Sequence, residues 1–320
     1  MAFPLLKLPF LAYEKVLLNL EVADLVDFSL ISSRCHRIIR SIRFPFTRID
    51  LRLGSGNGLE FYKGLQLIAQ WFFKKNDGAS YQTLKSPEWH STQKPIKNIK
   101  IALDYVRDLF RLPIISYHIQ LTNQYLFPHD ITKCDELRLD LSDGVPIDEL
   151  KYVLEKVEIL KKFHLNLPEN FVFEYGFIQF LLDELYINRA FWITNKTFLA
   201  MDCARIELHG NENLPIRDFV SQWLLSKNNR FEWLKMSRNR EQINWTDGFK
   251  TMKWNPKTRG RNFKLSDYSR VDCDNGIDIL REDGLLASVV EEYGAIYFVV
   301  WHRRFQPEAD QLQLDNYNII

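Results

Sequence analysis

The sequence has only four cysteines, Cys35, Cys134, Cys203 and Cys273, widely separated and without a CxxC pair. This spacing excludes a local zinc site and a dense disulfide framework. It points to isolated thiols in a reducing compartment, each a small buried apolar side chain. Long hydrophobic runs are missing too. The longest uncharged stretch, 112–129, is interrupted by Pro113, Gln120, Asn123, Gln124 and Pro128, whereas a membrane span needs about 20 mostly apolar residues. Lys7, Glu14 and Lys15 break the apolar start, which argues against an export signal, so the sequons at Asn195 and Asn244 are expected to stay unglycosylated. Charge of one sign is also lacking: 42 basic side chains face 41 acidic ones, for a net charge of +1. Nothing global draws the chain to nucleic acid or to a membrane. The expected location is intracellular, cytoplasmic and/or nuclear.

Signatures of chemistry are equally sparse. The seven histidines, His36, His90, His118, His129, His164, His209 and His302, show no metal-type HxxxH or HxH spacing. Gly54-Ser55-Gly56-Asn57-Gly58 lacks the Gly-Lys-Ser/Thr ending and the spacing of a nucleotide fingerprint, and reads as a flexible turn. No nucleophile elbow or Cys-His signature appears. No catalytic residue, cofactor-binding residue or metal ligand is nominated, and a non-catalytic chain is expected.

What is present is an ordinary globular composition, 46% hydrophobic and 26% charged, in a chain long enough to bury a core without staples. Residues 8–42 read as three short helices. Pro9 suits a first turn, Val16, Leu17 and Leu20 recur at helical spacing, and Asp24 opens a second helix holding Leu25, Phe28 and Leu30. Ser32 or Ser33 caps a third, with Cys35, Ile38, Ile39 and Ile42 on one face. So short a segment makes no large core of its own, and several of these side chains are expected to need an outside partner.

Residues 44–97 read as a connector: a strand-like run at Ile49–Leu53, a helix over 59–75 with Tyr62, Leu65, Ile68 and Phe72 on its apolar face, and an exposed loop over 76–97. Over 98–270, short runs alternate apolar and polar: Ile99-Ile101-Leu103, Tyr117-Ile119-Leu121, Leu137-Leu139-Leu141, Phe163-Leu165-Leu167, Leu185-Ile187, Ile206-Leu208 and Leu234-Met236. Their spacing is close to the roughly 20–29 residues of leucine-rich repeats. Amphipathic stretches at 148–161 and 216–225 lie between them, and Asn211 and Asn239 stand where such repeats cap their turns. An irregular repeat arc and an ordinary α/β domain both fit, and either gives a mainly parallel sheet. Residues 271–306, with Asp283-Gly284 and Gly294 as turns, predict an antiparallel β meander closing that sheet, and 307–320 a polar tail. The predicted class is α/β: three helices, an irregular leucine-rich-repeat-like strand/helix arc and a C-terminal antiparallel β meander.

The opening residues resemble the F-box. Leu8-Pro9, Val16-Leu17 with Leu20, Asp24-Leu25, Phe28-Ser29-Leu30, Ser33-Arg34 and Arg37-Ile38-Ile39 follow that family's order without gaps. The rest is similar to the nematode F-box group with a type-2 associated domain, through Asn275–Ile279, Arg281–Gly284, Ala287–Val289 and Phe298–Trp301. The resemblance implies a substrate receptor of a cullin-RING ubiquitin ligase, with residues 1–43 as the F-box. It implies binding to a Skp-type adaptor through Leu8, Pro9, Val16, Leu17, Leu25, Leu30 and Ser33, and through the adaptor to a cullin scaffold. The C-terminal domain would hold an unknown protein target. For the target, the basic and aromatic segment 227–264 stands out, with Arg230, Trp233, Arg238, Arg240, Trp245 and Trp254 as candidates. Three further readings stay open: the segment's aromatics are core, the chain is a non-degradative F-box scaffold, or the segment binds nucleic acid.

Overall fold

The computed structural model describes residues 8–54, 57–72, 95–123, 126–238, 243–256 and 259–302. It divides into two compact units between Glu158 and Ile159. The first begins with three helices, α1 (Phe10–Leu17), α2 (Val22–Leu30) and α3 (Ser33–Ser41). Ser32 is the cap of α3, its hydroxyl accepting from the Cys35 N–H. Val22, Leu25, Val26 and Ser29 recur at three- and four-residue intervals and form the buried face of α2.

The strands β1 (Arg48–Leu53), β2 (Gly58–Lys63) and β3 (Gln66–Phe72) form an antiparallel meander, and β4 (Ile114–Leu121) and β5 (Lys133–Leu141) extend it in parallel on the far side of β1. The order within this unit is β5-β4-β1-β2-β3. The expected helix over 59–75 is therefore a hairpin. Leu59 and Phe61 are buried at period two, and Gly64, at φ 59°, opens the two-residue turn that joins the strands. The Tyr62, Leu65, Ile68, Phe72 spacing fits a helical face by coincidence, and Leu65 is exposed at the turn. Residues 44–72 are thus not a helical connector; they supply three strands of the first unit.

The expected strand at 99–103 is also corrected. It lies in α4 (Pro95–Phe110), where Ala102, Val106 and Leu109 are buried at i, i+4, i+7. Three alternating apolar residues were outweighed by a helical stripe one residue out of step, and Pro113 follows the helix end. The unit closes with α5 (Ile147–Lys156), which stops before Leu160, so the amphipathic stretch 148–161 is helix followed by strand. Within the expected loop 76–97, residues 95–97 belong to α4, and 76–94 lie outside the described residues, as do the tail 307–320 and Asn239.

In the second unit, β6 (Glu158–Asn166), β7 (Glu184–Asn188), β8 (Arg205–Leu208) and β9 (Trp233–Ser237) run parallel in chain order, with α6 (Asn195–Leu199) after β7 and α7 (Ile216–Leu225) after β8. The short β10 (Thr251–Lys253) precedes a separate hairpin, β11 (Asn262–Ser266) and β12 (Ser269–Asp272). The antiparallel meander β13 (Ile277–Leu280), β14 (Leu286–Glu292) and β15 (Ala295–Trp301) then pairs through β15 with β9 and finishes the parallel run as expected. The sheet order is β10-β13-β14-β15-β9-β8-β7-β6.

Register explains the periodicity. Phe163, Leu185, Ile206, Leu234 and Phe298 stand side by side across five strands, and Leu165, Ile187, Leu208, Met236 and Ile296 form the next row. All ten are buried. Asn211 donates to the carbonyls of Ala190 and Ile193 in the preceding turn, the capping job its position suggested. The four cysteines are free and buried, and burial pushes the thiols of Cys134, Cys203 and Cys273 up to about 12.

Candidate functional site

The first candidate surface is the three-helix segment. Leu17 is fully buried and Leu25 is 1% exposed, so both pack the interior of the first unit and do not face a partner. That corrects the assignment of these two to the docking set. They sit on the inward stripes, where a core needs them whether or not a partner exists. Pro9, Val16, Leu30 and Ser33 are exposed, and Leu8 is half-buried. The structure adds Leu20 of the motif, which was not placed in the docking set, and four side chains that the motif does not single out, Phe10, Leu11, Leu18 and Ile31, with Leu11 at 70% and Ile31 at 73% exposure. Their excess over what the small core can hold was the available signal. With Val16 and Leu30 they give seven large apolar side chains facing solvent between residues 10 and 31, a density that marks an interaction surface.

These helices are anchored from below. The Tyr105 hydroxyl of α4 lies 2.6 Å from the Ser29 hydroxyl of α2, and its ring packs edge-on to His36 of α3 at 5.4 Å. Burial is the leading cause that raises the Tyr105 pKa, opposed by the Ser29 bond. The segment is thereby held rigid without covering its exposed apolar groups.

The second candidate, the basic and aromatic segment 227–264, is mostly internal. Trp233 and Trp245 are buried, and Trp254 is half-buried with its indole N–H aimed at the Arg259 carbonyl. Arg230 donates to the carbonyls of Leu182 and Asp202, tying its loop to the strand entrances. Arg238 is exposed and pairs with Glu291, which also accepts from the Trp245 indole; Arg240 lies outside the described residues. Three further cations of the segment find carboxylates elsewhere in the chain: Lys235 with Glu207, Arg259 with Asp278, Arg261 with Asp272. The candidates therefore do not converge on one surface, and Lys235, Arg238, Arg259, Arg261 and Lys264 are already paired with carboxylates.

Sequence reasoning missed the polar face of the second unit's sheet. Between the two buried rows, and pointing the other way, stand His164, Tyr186, Glu207, Lys235 and Tyr297 in one register line. His164 bonds Glu184 at 2.8 Å, a bond that holds the Glu184 pKa down. Burial works against ionised Glu207, but His209 at 2.8 Å and Lys235 at 2.7 Å prevail and lower its pKa. These side chains are half-buried and several are held by hydrogen bonds to polar neighbours, which leaves the surface preorganised. The sequence signal was the polar residue between each pair of apolar ones, whose cross-strand neighbours only the register reveals.

Among the described residues no group of histidines, cysteines and carboxylates is arranged to hold a metal ion, and no helix is long and apolar enough to cross a membrane. Among curated proteins, three uncharacterized proteins of Caenorhabditis elegans are similar along nearly the whole chain. One is 28% identical over 97% of this chain and 80% of its own length. The others are 24% identical, covering 98% and 93% of this chain and 82% and 93% of their own lengths. No solved structure matches the chain. Residues 5–47, which hold the three helices and their exposed apolar side chains, match the F-box domain family.

Proposed function

We propose that the chain is the substrate-receptor subunit of a cullin-RING ubiquitin ligase. Its F-box docks a Skp-type adaptor, the adaptor links it to a cullin, and the second unit holds the protein to be modified. The observation that carries the reading is the row of exposed apolar side chains in an F-box that is otherwise packed and anchored. Each gains roughly 1.5–3 kcal/mol on full burial, less the cost of ordering and association. Catalysis is left to other subunits; the receptor's contribution is to hold target and charged ubiquitin together. The segments resembling the type-2 associated domain fall on β13, β14 and β15, and we assign the second unit to that domain.

For the target we favour the polar line His164, Tyr186, Glu207, Lys235 and Tyr297 over segment 227–264, because the former aligns half-buried polar side chains on one face of the sheet while the latter spends its aromatics on the core. Nucleic-acid binding, which needs free cations along a strand, is disfavoured by the ion pairs that hold Lys235, Arg238, Arg259 and Arg261. The chain works in a reducing intracellular compartment, cytoplasmic or nuclear.

Co-purification with a Skp-type adaptor tests the reading. Wild type is expected to capture adaptor, and the Val16→Asp, Ile31→Asp double variant to lose it while keeping its melting temperature. Failure of wild type to bind, or equal binding by the variant, overturns it. Whether bound partners gain ubiquitin in the presence of a cullin separates a receptor from a non-degradative scaffold.

A further inference from the structure

The face formed by α3 and α4 differs from the apolar docking surface. A cleft of about 390 Å³ opens between these helices, lined by Arg40, Asp104, Arg107, Asp108 and Arg111. Arg40 reaches Asp108 at 3.0 Å, with His36 on the other carboxylate oxygen at 3.5 Å, and Arg107 reaches Asp104 at 2.7 Å. Arg111 has no such partner among the described residues. Three arginines against two aspartates leave the cleft one positive charge in excess. Around it α3 adds Arg34 and Arg37, and Arg43 follows the helix, all exposed.

Arg111 also stands where another residue would be easier. It follows the last residue of α4 with φ 55°, the left-handed conformation that helix ends usually give to glycine. A cation near a helix C-terminus suits the helix dipole, and Arg40 in the last turn of α3 stands so, as do Arg107 and Arg111 at the end of α4; what the dipole does not dictate is that the ends of two helices bring their guanidinium groups to one cleft. Guanidinium groups converging from two helices are what a carboxylate needs for paired hydrogen bonds.

We propose that the cleft between α3 and α4, through Arg40, Arg107 and Arg111, docks the carboxylates of an acidic polypeptide segment of a partner protein. Charge complementarity selects the occupant. One net charge matches the single charge of an aspartate or glutamate side chain, and the outlying arginines match its acidic neighbours in the same segment. A nucleic-acid strand fits less well, because Asp104 and Asp108 face into the cleft and its lining offers no aromatic ring for stacking. The surface serves mainly to steer and orient the partner, since exposed charge pairs act more on encounter than on final affinity.

The test uses the full chain and a fluorescent twelve-residue polyglutamate peptide, with polyglutamine and a single-stranded oligonucleotide of equal length as comparisons. Polyglutamate is expected to bind at low salt and to weaken steeply as salt rises. The Arg107→Glu, Arg111→Glu variant should reduce binding at least tenfold, and Asp104→Asn should strengthen it. Arg111→Gly keeps the fold, because glycine relaxes the backbone there, and should still weaken binding several-fold. Equal binding of polyglutamine, stronger binding of the oligonucleotide, or unchanged polyglutamate binding by Arg111→Gly overturns the proposal. The Val16→Asp, Ile31→Asp variant should bind polyglutamate as wild type does, so the failure of adaptor docking and the failure of this cleft are told apart.

Discussion

Arg259 and Asp278 form a two-pronged ion pair with neither side chain reaching solvent: Nη2 lies 2.6 Å from Oδ1 and Nε 3.0 Å from Oδ2. The pair is embedded in further bonds. Arg259 also donates to the carbonyls of Gly260 and Cys273, the Ser288 hydroxyl donates to Asp278, and the Trp301 indole donates to Ser288 at 2.8 Å. The guanidinium stacks over the Trp301 ring at 4.7 Å. One network thereby ties the loop before β11 to β13, β14 and β15.

Removing one partner of such a pair leaves the other charged and buried. Asp278→Ala is expected to destabilise the second unit by about 3–5 kcal/mol, and Arg259→Ala by a similar amount. The double variant should cost less than the sum, because each single change already breaks the shared bonds. Urea unfolding followed by tryptophan fluorescence measures all three, and strict additivity would refute the coupling.

This pair also shows what the sequence concealed. Its members are nineteen residues apart, and nothing local distinguishes Arg259 from the basic residues around it. The same holds for Lys235 and Glu207, brought together by the parallel pairing of β8 and β9. The strands themselves were legible, since Leu185-Ile187 or Leu137-Leu139-Leu141 bury one face at period two and no helical stripe competes with the alternation there. The α4 helix and the β2–β3 hairpin were not. There the apolar residues satisfy both periods, and the choice is made by which face the rest of the unit covers. The motif located the F-box, which the family match places at residues 5–47, but the division between Leu25 inside and Ile31 outside depends on helix packing that the motif does not encode.

That division gives a clean contrast. Leu25→Ala removes a buried side chain and should lower stability by about 2–5 kcal/mol, with adaptor capture lost only as far as the fold is lost. Ile31→Ala touches an exposed side chain, should leave stability within about 0.5 kcal/mol, and should weaken adaptor binding. Thermal melts paired with adaptor-binding isotherms separate the two. If Leu25→Ala weakened binding at full stability, the placement of the docking face would be wrong.

Gly54 follows β1 at φ 125°, where a Cβ would collide with the Gln120 Cβ. Its N–H donates to the Asn57 side chain at 2.8 Å. Both the dihedral and the close approach demand glycine, so Gly54→Ala should destabilise the first unit by at least about 1–3 kcal/mol from backbone strain alone. Gly64, also at positive φ but with open space around it, is the comparison: Gly64→Ala should cost less. Equal melting temperatures for the two variants would show that the contact with Gln120 is not rigid.

Two carboxyl groups set a pH dependence whose direction follows from burial. Asp50 on β1 is pushed up to about 6 by burial, with Arg48 at 2.9 Å pulling back and Glu136 and Glu60 adding to the rise. Glu232, before β9, is likewise raised to about 6 by burial, opposed by Arg205. Because the folded state holds these protons more tightly than the unfolded chain, their contribution is fully present at about pH 4 and is lost as pH rises through about 6. Glu184 and Glu207 shift the other way and are retained in both variants; Glu184 also adds to the rise at Glu232. Asp50→Asn and Glu232→Gln keep the shape and do not titrate, so each should gain stability relative to wild type between about pH 4.5 and about pH 7. Urea midpoints across that range measure the difference. A gap that stays constant with pH, or that narrows as pH rises, would mean that these carboxyls ionise as freely in the fold as in the open chain.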